Sequence, residues 1–479
     1  MTPVDVLAAL EADLPAGAVV TDPDVVESYR HDRAATVRPG TPLALVRATC
    51  TADVQTVLRV ASAAGVPVVA RGAGTGLSGG SSAVDGCITL STERMRSITV
   101  DPAAMVAVVQ PGLLNAEVKA AAAGAGLWYP PEPSSFEICS IGGNLATNAG
   151  GLCCVKYGVT TDYVLGIEVV LADGRAVRLG GRTIKDVAGF DLKRLFVGSE
   201  GTLGIITEAT LRLRPPPPPV STVVATFSDV VAAGRAVTRV VASVRPAALE
   251  LMDRAAVAAV ERVRPMGLDA GIGALLLGQS DGGGDEAARI AGACEAAGAT
   301  YVAVTDDLDE GEQLMGARRM AIPCVERLGT VLIEDVGVPI PQIPALVAAV
   351  AEIAERRATA IPVIGHAGDG NLHPLVLFDN DVEGEAEKAE ALAGDIVFTC
   401  LEHGGSLTGE HGIGEDKKKY MPKMFTTEDL DTMQLLRCAF DPHQICNPGK
   451  IFPTPRLCGE RPGPFRMHPV QQAGLAENF

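Results

Sequence analysis

The chain has 479 residues, which is long enough for two or three domains with sizeable cores. Its formal net charge of −18 disfavours nucleic acid and anionic membranes as partners, because both carry negative charge themselves. Its aromatic content of 4% leaves few rings on which nucleic acid bases could stack. The N-terminal residues include no basic segment, and no run reaches roughly 18 apolar residues. We therefore expect no secretory signal and no membrane span, and we expect a cytoplasmic protein.

The eleven cysteines show no C-x-x-C pair. An odd number in a large chain is typical of free thiols, so we expect small buried side chains rather than disulfides. Cys438, Cys446 and Cys458 are spaced too irregularly for an iron–sulfur ligand set.

The first of three glycine-rich stretches follows a predicted helix at 52–65 and a predicted strand at 66–71. Its hexapeptide GTGLSG, residues 74–79, matches the dinucleotide fingerprint G-x-G-x-x-G, which requires a helix directly after the glycines. Too few residues remain for a helix before the next predicted strand at 87–91, and no Lys-Ser or Lys-Thr pair marks a P-loop. We exclude both motifs and interpret the loop as a nest of N–H groups for anionic oxygens.

The second and third stretches lie at 132–151 and 195–213, with a hairpin predicted between them around Asp173-Gly174. Both are rich in Gly, Ser, Thr or Asn, and we expect loops flanked by strands. Three such loops suit an extended ligand held at several points, such as a diphosphate dinucleotide. Each loop taken alone is open to a second interpretation as a mobile turn.

Five consecutive prolines at 215–219 mark the clearest boundary, because a polyproline rod cannot join a helix or a sheet. After it, helical patterns such as 343–357 alternate with short predicted strands such as 273–278.

The segments RGAGTGLSGG, PSS…CSIGGNLATNAGG and GFDLKRLFVGSEGTLGI together resemble the FAD-binding domain of the vanillyl-alcohol oxidase/p-cresol methylhydroxylase superfamily. Within it, the pattern is most similar to the group that contains glycolate oxidase, D-lactate dehydrogenase and D-2-hydroxyglutarate dehydrogenase. The resemblance implies an α+β protein. A p-cresol methylhydroxylase-type FAD-binding domain of two α+β subdomains would be followed by an α+β substrate domain, in which helices cover an antiparallel sheet.

The resemblance also implies domain boundaries. We expect an N-terminal segment at 1–37, the FAD-binding domain at 38–216, and a substrate domain at 217–453 whose end returns to the FAD-binding domain. An irregular tail is expected at 454–479.

The resemblance implies FAD as the cofactor, with its pyrophosphate against the first glycine loop and its isoalloxazine near the other two. No histidine occurs between residues 32 and 365, which excludes histidyl attachment in this domain and favours non-covalent FAD. The residues expected to contact FAD are Arg71, Gly72, Gly74, Thr75, Gly76, Ser78, Gly79, Pro133, Ser134, Ser140, Gly142, Gly143, Asn144, Thr147, Asn148, Gly150, Gly151, Glu200, Gly204, Ile205 and Asn447.

Three of the seven histidines fall in two short motifs of the second half. His366 and His373 flank the turn of a predicted hairpin, while Glu410 and His411 lie on a loop bracketed by glycines. Two histidines and a carboxylate that converge would form a site for a divalent ion with positions open for substrate. The alternative is that these histidines are hydrogen-bonded packing residues. His31, His403, His443 and His468 lack such motifs.

The resemblance implies that His366, His373 and Glu410 bind zinc or manganese and that His411 is the general base. It also implies that Arg318 binds the substrate carboxylate, with Arg319 as second choice and a surface salt bridge as the alternative role for either arginine. Met315 stands where the family has a tryptophan.

The D-2-hydroxyglutarate enzymes carry a lysine just before the aspartate that corresponds to Asp335, and here Ile333 and Glu334 occupy that neighbourhood. We therefore predict FAD-dependent oxidation of a small (R)-2-hydroxy acid, glycolate or D-lactate, with an iron–sulfur subunit, a cytochrome or a quinone as acceptor. The alternatives are a D-2-hydroxyglutarate dehydrogenase, a metal-free flavin alcohol oxidase and a non-catalytic FAD subunit of a glycolate oxidase complex.

Overall fold

A computed structural model describes residues 2–269 and 271–453, so the predicted tail at 454–479 lies outside the described residues. The chain begins with a small mixed sheet and its helices. These elements are α1 (Pro3–Asp13), β1 (Val19–Val20), α2 (Pro23–Glu27), β2 (Ala44–Arg47), α3 (Thr51–Ala64), β3 (Val68–Arg71) and β4 (Ile88–Ser91). The strand order is β1-β2-β4-β3, and β3 pairs with β4 in parallel.

Helix α3 lies where the sequence predicted a helix. Val54, Val57, Leu58 and Ala61 recur at helical spacing and are fully buried in the core beneath the first sheet. Gly65, with φ of 67°, ends the helix in the left-handed conformation that glycine favours. The segment from 72 to 87 contains no helix, as the exclusion of a Rossmann turn required.

A second, antiparallel sheet in the order β5-β6-β9-β7-β8 follows. Its elements are β5 (Ile98–Asp101), β6 (Val106–Val109), α4 (Asn115–Gly124), α5 (Ile141–Thr147), α6 (Cys154–Tyr157), a 3₁₀ turn (Thr160–Tyr163), β7 (Val164–Val170), β8 (Ala176–Gly180), α7 (Lys193–Phe196) and β9 (Ile205–Arg212). The predicted hairpin is confirmed, because β7 and β8 pair on either side of Asp173-Gly174.

The prediction that the second glycine stretch is a loop flanked by strands is wrong, because residues 141–147 form helix α5. Ser140 caps this helix by accepting a hydrogen bond from the Gly143 N–H at 3.2 Å, and Asn148 ends it at φ of 55°. Local capping therefore overrides the low helix propensity of the two glycines.

The remaining strands form an eight-stranded antiparallel sheet, with the main order β13-β10-β12-β11-β16-β17-β14 and β15 paired to β17. Its elements are β10 (Ser221–Phe227), α8 (Val230–Ser243), β11 (Ala248–Asp253), α9 (Arg254–Val263), β12 (Ala274–Ser280), α10 (Gly284–Ala296), β13 (Tyr301–Thr305), α11 (Leu308–Arg319), α12 (Ala321–Glu326), β14 (Thr330–Ile333), β15 (Val336–Gly337), a 3₁₀ turn (Ile340–Gln342), α13 (Ile343–Arg357), β16 (Val363–His366), β17 (Asn371–Phe378), α14 (Glu385–Glu402), a 3₁₀ turn (Lys418–Tyr420), α15 (Met421–Met424) and α16 (Thr427–Phe440).

The two faces of this third sheet bury different cores. Helices α8, α10, α13 and α14 pack on one face, and α9 and α12 pack on the other. Because side chains alternate along a strand, Leu249 and Leu251 of β11 join the first core while Ala248 and Met252 join the second. The predicted helix at 343–357 and the predicted strand at 273–278 are both present.

The last described segment returns to the first sheet. Its backbone bonds to β3 on both sides, since the Val68 N–H donates to the Ile445 carbonyl at 2.7 Å and the Asn447 N–H donates to the Val68 carbonyl at 2.8 Å. Nine cysteines are free thiols, as predicted, and six of them are buried, but Cys50 is exposed. Cys438 is disulfide-bonded, so the prediction of a free thiol is wrong for this residue. Among residues 2–269 and 271–453, no helix has the length and apolar character to cross a membrane.

Candidate active site

One long cavity contacts all three glycine stretches and the third sheet. Its walls come from the loop after β3, from α5, from the segment between α7 and β9, and from α11 and α12. His373, Glu410 and His411 also line it, so the two histidine motifs meet the glycine-rich region in one space.

The glycines of this cavity make room for close backbone approach. A Cβ at Gly72 would lie 2.1 Å from Ser140 Oγ, and one at Gly142 would lie 2.6 Å from Pro111 Cβ. Ser140 Oγ also accepts from the Ala73 N–H at 3.3 Å, which ties the first glycine loop to the start of α5. At these glycines the backbone itself forms the wall of the cavity, which lets N–H groups come close to a bound ligand.

Most residues expected to contact FAD line this cavity. They are Arg71, Gly72, Gly74, Thr75, Gly76, Ser78, Pro133, Ser134, Ser140, Gly142, Gly143, Asn144, Thr147, Glu200, Gly204 and Ile205. The cavity lining does not include Gly79, Asn148, Gly150, Gly151 and Asn447. Asn447 contacts two residues of the lining instead, because its side-chain amide donates to the backbone carbonyls of Gly80 at 2.8 Å and Glu200 at 2.7 Å.

Glu200 joins the cavity wall to the loop after His411. Its carboxylate accepts from the N–H groups of Ile413 and Gly414, both at 2.7 Å. Burial nevertheless dominates and raises the pKa of Glu200 to about 7.

We expect Glu200 to make the protein less stable as the pH rises from 4.5 to 7. The unfolded chain loses this proton near pH 4.5 and the folded chain near 7, so the unfolding free energy falls by up to about 3 kcal/mol and then levels. Thermal unfolding of the wild type and Glu200→Gln across this range should show a stability gap that widens with pH in favour of the variant. Glu208→Gln, at a partly exposed position on the neighbouring strand β9, is the control, and a gap that stays constant would contradict the expectation.

The third sheet brings three polar side chains to one face. Met252 pairs with Ile364, and Ile364 pairs with His373, so Glu250, His366 and His373 occupy neighbouring positions on β11, β16 and β17. The alternation of the strands directs all three toward the α9 and α12 side. All are buried, with exposures of 0%, 3% and 2%.

Glu410 completes a cluster with the two histidines. Its Oε1 lies 3.3 Å from Nε2 of His366 and 3.3 Å from Nε2 of His373. The potential ligand atoms of the three residues all lie within 4.8 Å of one another. Two imidazoles and one carboxylate at this spacing are a donor set for a divalent ion such as zinc or manganese.

The polar atoms of the cluster support this interpretation. His366 Nδ1 bonds to both oxygens of Glu250, at 2.9 and 3.0 Å, while its buried Nε2 has no aligned hydrogen-bond partner. Burial opposes charge on His366, but the carboxylates of Glu250 and Glu410 raise its pKa well above the ordinary value. Burial likewise opposes charge on Glu410, yet His366 and His373 hold its pKa well below its ordinary range. The carboxylate is thus ionised, and ion binding would displace a proton from His366.

His411 stacks on His373, with ring centroids 5.0 Å apart and planes at 9°. Burial lowers the pKa of His411 to about 4, against the attraction of the Asp335 carboxylate. The imidazole is therefore neutral at neutral pH, and its buried Nδ1 has no hydrogen-bond partner.

Asp335 fixes the loop that carries Glu410 and His411. Its Oδ2 accepts from the backbone N–H groups of Gly409, Glu410 and His411 at 2.8–2.9 Å. Its Oδ1 accepts from the side chain of Asn371 at 2.6 Å, so one buried carboxylate joins the loop to the hairpin. Convergent N–H groups of this kind form a nest for an anionic oxygen, and here the Asp335 carboxylate occupies it.

Arg318 lies in the last turn of α11 and lines the same cavity at 2% exposure, so the surface salt-bridge alternative is wrong for it. Its Nε lies 2.9 Å from Glu250 Oε2 without an aligned hydrogen bond, and its buried Nη2 has no hydrogen-bond partner among the described residues. Arg319 also lines the cavity but pairs with Glu312 at the surface. Met315 lies in the core beside α9 and α12.

Two isoleucines stand near Arg318 in the cavity lining, Ile322 of α12 and Ile333 at the end of β14. Glu334 turns away from the cavity and pairs with Lys417 at 3.0 Å, with both side chains 2% exposed. Ile322, Pro323 and Ile333 give the cavity an apolar wall, although the lining also includes Arg319 and Glu326, and position 333 carries no lysine.

Glu250 and Asp335 were missed as functional residues by the sequence analysis. Glu250 is the one acidic residue of the stretch ALELM, and Asp335 belongs to the acidic pair of the stretch LIEDVGV. Both stretches are otherwise apolar and typical of a strand. A charged residue is almost never fully buried unless it is paired, and this was the available signal.

Comparison with known proteins assigns the family. Residues 42–180 match the family described as FAD binding domain, and residues 216–451 match FAD linked oxidases, C-terminal domain. The chain is 41% identical to glycolate oxidase subunit GlcD of Bacillus subtilis, over 86% of this chain and 89% of that protein. The chain belongs to the FAD-linked oxidase family. The predicted resemblance is thereby confirmed.

Two further relatives are named for different substrates, D-lactate and D-2-hydroxyglutarate. The chain is 35% identical to D-lactate dehydrogenase of Anaerostipes hadrus, over 90% of this chain and 94% of that protein. It is 34% identical to D-2-hydroxyglutarate dehydrogenase of Xanthomonas citri, over 93% and 96% respectively.

Among solved structures, p-cresol methylhydroxylase with substrate bound superimposes with a TM-score of 0.77 at 17% identity, over 94% of this chain and 96% of that one. This likeness confirms the predicted α+β fold class. The cavity fits the cofactor of an FAD-linked oxidase, because glycines without room for a Cβ let backbone N–H groups reach an elongated anionic ligand.

Proposed function

We propose that this FAD-linked oxidase converts a small (R)-2-hydroxy acid, glycolate or D-lactate, to the 2-oxo acid. The observation that carries the proposal is that His373, Glu410 and His411 line the cavity that Arg318 and the glycine stretches also line, with His366 in one cluster with His373 and Glu410. A carboxylate clamp, a proton acceptor and an ion site are the groups that oxidation of a 2-hydroxy acid requires beside a flavin.

The chain's residues divide the chemistry among them. Arg318 binds the substrate carboxylate through the guanidinium nitrogens that Glu250 leaves free. His411, neutral at neutral pH, accepts the hydroxyl proton, and the nearby Asp335 carboxylate stabilises the resulting imidazolium. FAD, when bound, supplies flavin N5 as the acceptor of the hydride from Cα. His366, His373 and Glu410 would hold a zinc or manganese ion, which would supply Lewis acidity toward the substrate hydroxyl.

The electrons must then leave the flavin. We propose an external acceptor, which is an iron–sulfur subunit, a cytochrome or a quinone, for a protein that acts in the cytoplasm. Among the described residues, the side-chain clusters suited to a metal contain no cysteine. The name of the Bacillus subtilis relative, a glycolate oxidase subunit, supports a partner subunit.

The apolar wall at Ile333 favours a monocarboxylic substrate. Replacing Ile333 with Lys adds a cation where a distal carboxylate would lie, so we expect Ile333→Lys to raise kcat/KM for D-2-hydroxyglutarate relative to D-lactate by about 10- to 100-fold, as one charge-assisted bond allows. Steady-state kinetics with both substrates measure the ratio, and Ile333→Met is the apolar control. A wild type that already prefers D-2-hydroxyglutarate would favour the dicarboxylate alternative.

Anaerobic absorbance spectra test the function itself. The bound flavin should bleach within seconds on addition of glycolate or D-lactate, and slowly or not at all on addition of L-lactate. A metal-free flavin alcohol oxidase would bleach with alcohols that lack a carboxylate, and a non-catalytic FAD subunit would bleach with none of them. Either result would overturn the proposal.

A further inference from the structure

Glu250 contacts two functional groups at once. Its carboxylate oxygens lie 2.9 and 3.0 Å from Nδ1 of His366, and Oε2 lies 2.9 Å from Nε of Arg318. The side chain is fully buried at the centre of β11, whose neighbours on either side are β12 and β16. A residue on a central strand is held more rigidly than one on a loop, so its two partners share one fixed point.

The contact with His366 decides which nitrogen can bind an ion. A carboxylate at Nδ1 keeps a proton on that nitrogen, so Nε2, which lies 3.3 Å from Glu410, is the nitrogen that can give up its proton and bind an ion. Without this contact the ring could change tautomer or rotate about Cβ–Cγ.

The contact with Arg318 decides how the guanidinium presents itself. Arg318 Nε lies 2.9 Å from Glu250 Oε2, which fixes the position of the guanidinium, while its buried Nη2 has no hydrogen-bond partner among residues 2–269 and 271–453. An unpartnered buried donor of this kind is suited to an anionic ligand.

We propose that Glu250 is a positioning residue that sets the spacing between the carboxylate-binding arginine and the ion-binding histidine, and so selects 2-hydroxy acids over 3-hydroxy acids. The inference rests on the proposed function. In a 2-hydroxy acid the carboxylate and the hydroxyl are on adjacent carbons, whereas a 3-hydroxy acid separates them by one more methylene. A single side chain that touches both Arg318 and His366 holds them at one separation and allows only one of these spans.

The test uses the FAD-loaded protein and two variants. Glu250→Gln keeps the size and loses the charge, while Glu250→Asp keeps the charge and withdraws it by one methylene. Glu168→Gln is the matched control, because Glu168 is a buried carboxylate on β7, outside the cavity lining. The measurements are the Kd for Mn²⁺ by competition with a chromophoric chelator, KM and kcat for D-lactate at saturating Mn²⁺, and the kcat/KM ratio of D-lactate to (R)-3-hydroxybutyrate.

We expect Glu250→Gln to weaken Mn²⁺ binding by about 10- to 100-fold. KM for D-lactate should rise at least about tenfold, and the preference for D-lactate should fall at least about fivefold, since both ends of the substrate lose alignment. Glu250→Asp should move all three quantities in the same direction by less. Flavin content and Tm of the active variants should remain close to those of Glu168→Gln.

The positioning role would be overturned if the wild type responds to Mn²⁺ and Glu250→Gln keeps both its Mn²⁺ affinity and its preference for D-lactate. If Glu250→Gln does not fold, Glu250→Asp decides on the same criteria. A wild type that binds no Mn²⁺ and oxidises D-lactate fully without it would instead overturn the ion site of the proposed function, and this inference with it.

Discussion

Substitution of His411 by Gln should lower kcat for glycolate or D-lactate by about 10²- to 10⁴-fold, the range that a positioned base contributes. The buried imidazole has a pKa of about 4, so it is neutral at neutral pH and one ring nitrogen can accept a proton, and glutamine offers no comparable acceptor. Stopped-flow measurement of flavin reduction isolates this step from reoxidation. KM should change much less than kcat, since Arg318 and the apolar wall still bind the substrate.

His403→Gln is the matched control for this substitution. His403 lies eight positions earlier, is partly exposed at the end of α14, and bonds to Gln342 at 3.3 Å. Its replacement should leave flavin reduction unchanged. Near-normal flavin reduction in His411→Gln, with FAD fully bound, would show that another group accepts the proton.

Removal of the ion should have an effect of similar size. Dialysis against EDTA should abolish at least about 99% of turnover, and zinc or manganese should restore it, because an alcohol proton is too weakly acidic for a neutral imidazole to remove unaided. Glu410→Gln should bind the ion more weakly and recover only at high concentrations, since it loses the carboxylate that lies 3.3 Å from both histidines.

The flavin absorbance is the internal control for chelation. It should persist through dialysis, since the residues that line the glycine-rich part of the cavity are separate from the histidine cluster. Full turnover by an EDTA-treated protein with less than about a tenth of an equivalent of metal would contradict the ion site and favour a metal-free flavin oxidase.

The sequence by itself determined much of the local structure. The apolar spacing of α3, the Asp-Gly turn between β7 and β8 and the long periodic helix α13 were all readable, because each depends on neighbours within a few residues. The absence of space for a helix after the first glycine loop was equally local, and it excluded a Rossmann turn. Helix α5 was missed because its cap at Ser140 outweighs the glycines that follow.

The members of the candidate site could be named from the sequence, but only the tertiary structure decided their arrangement. His366 and His373 meet Glu410 because two antiparallel strands place them on one face and Asp335 fixes a loop 75 residues further along the chain. Glu250 enters the site from 116 residues before His366, through the register of β11 against β16. Such contacts depend on strand order and register, which the hydrophobic periodicity of a sequence does not specify. For this reason the residues that position the site, Glu250 and Asp335, could not be identified from the sequence.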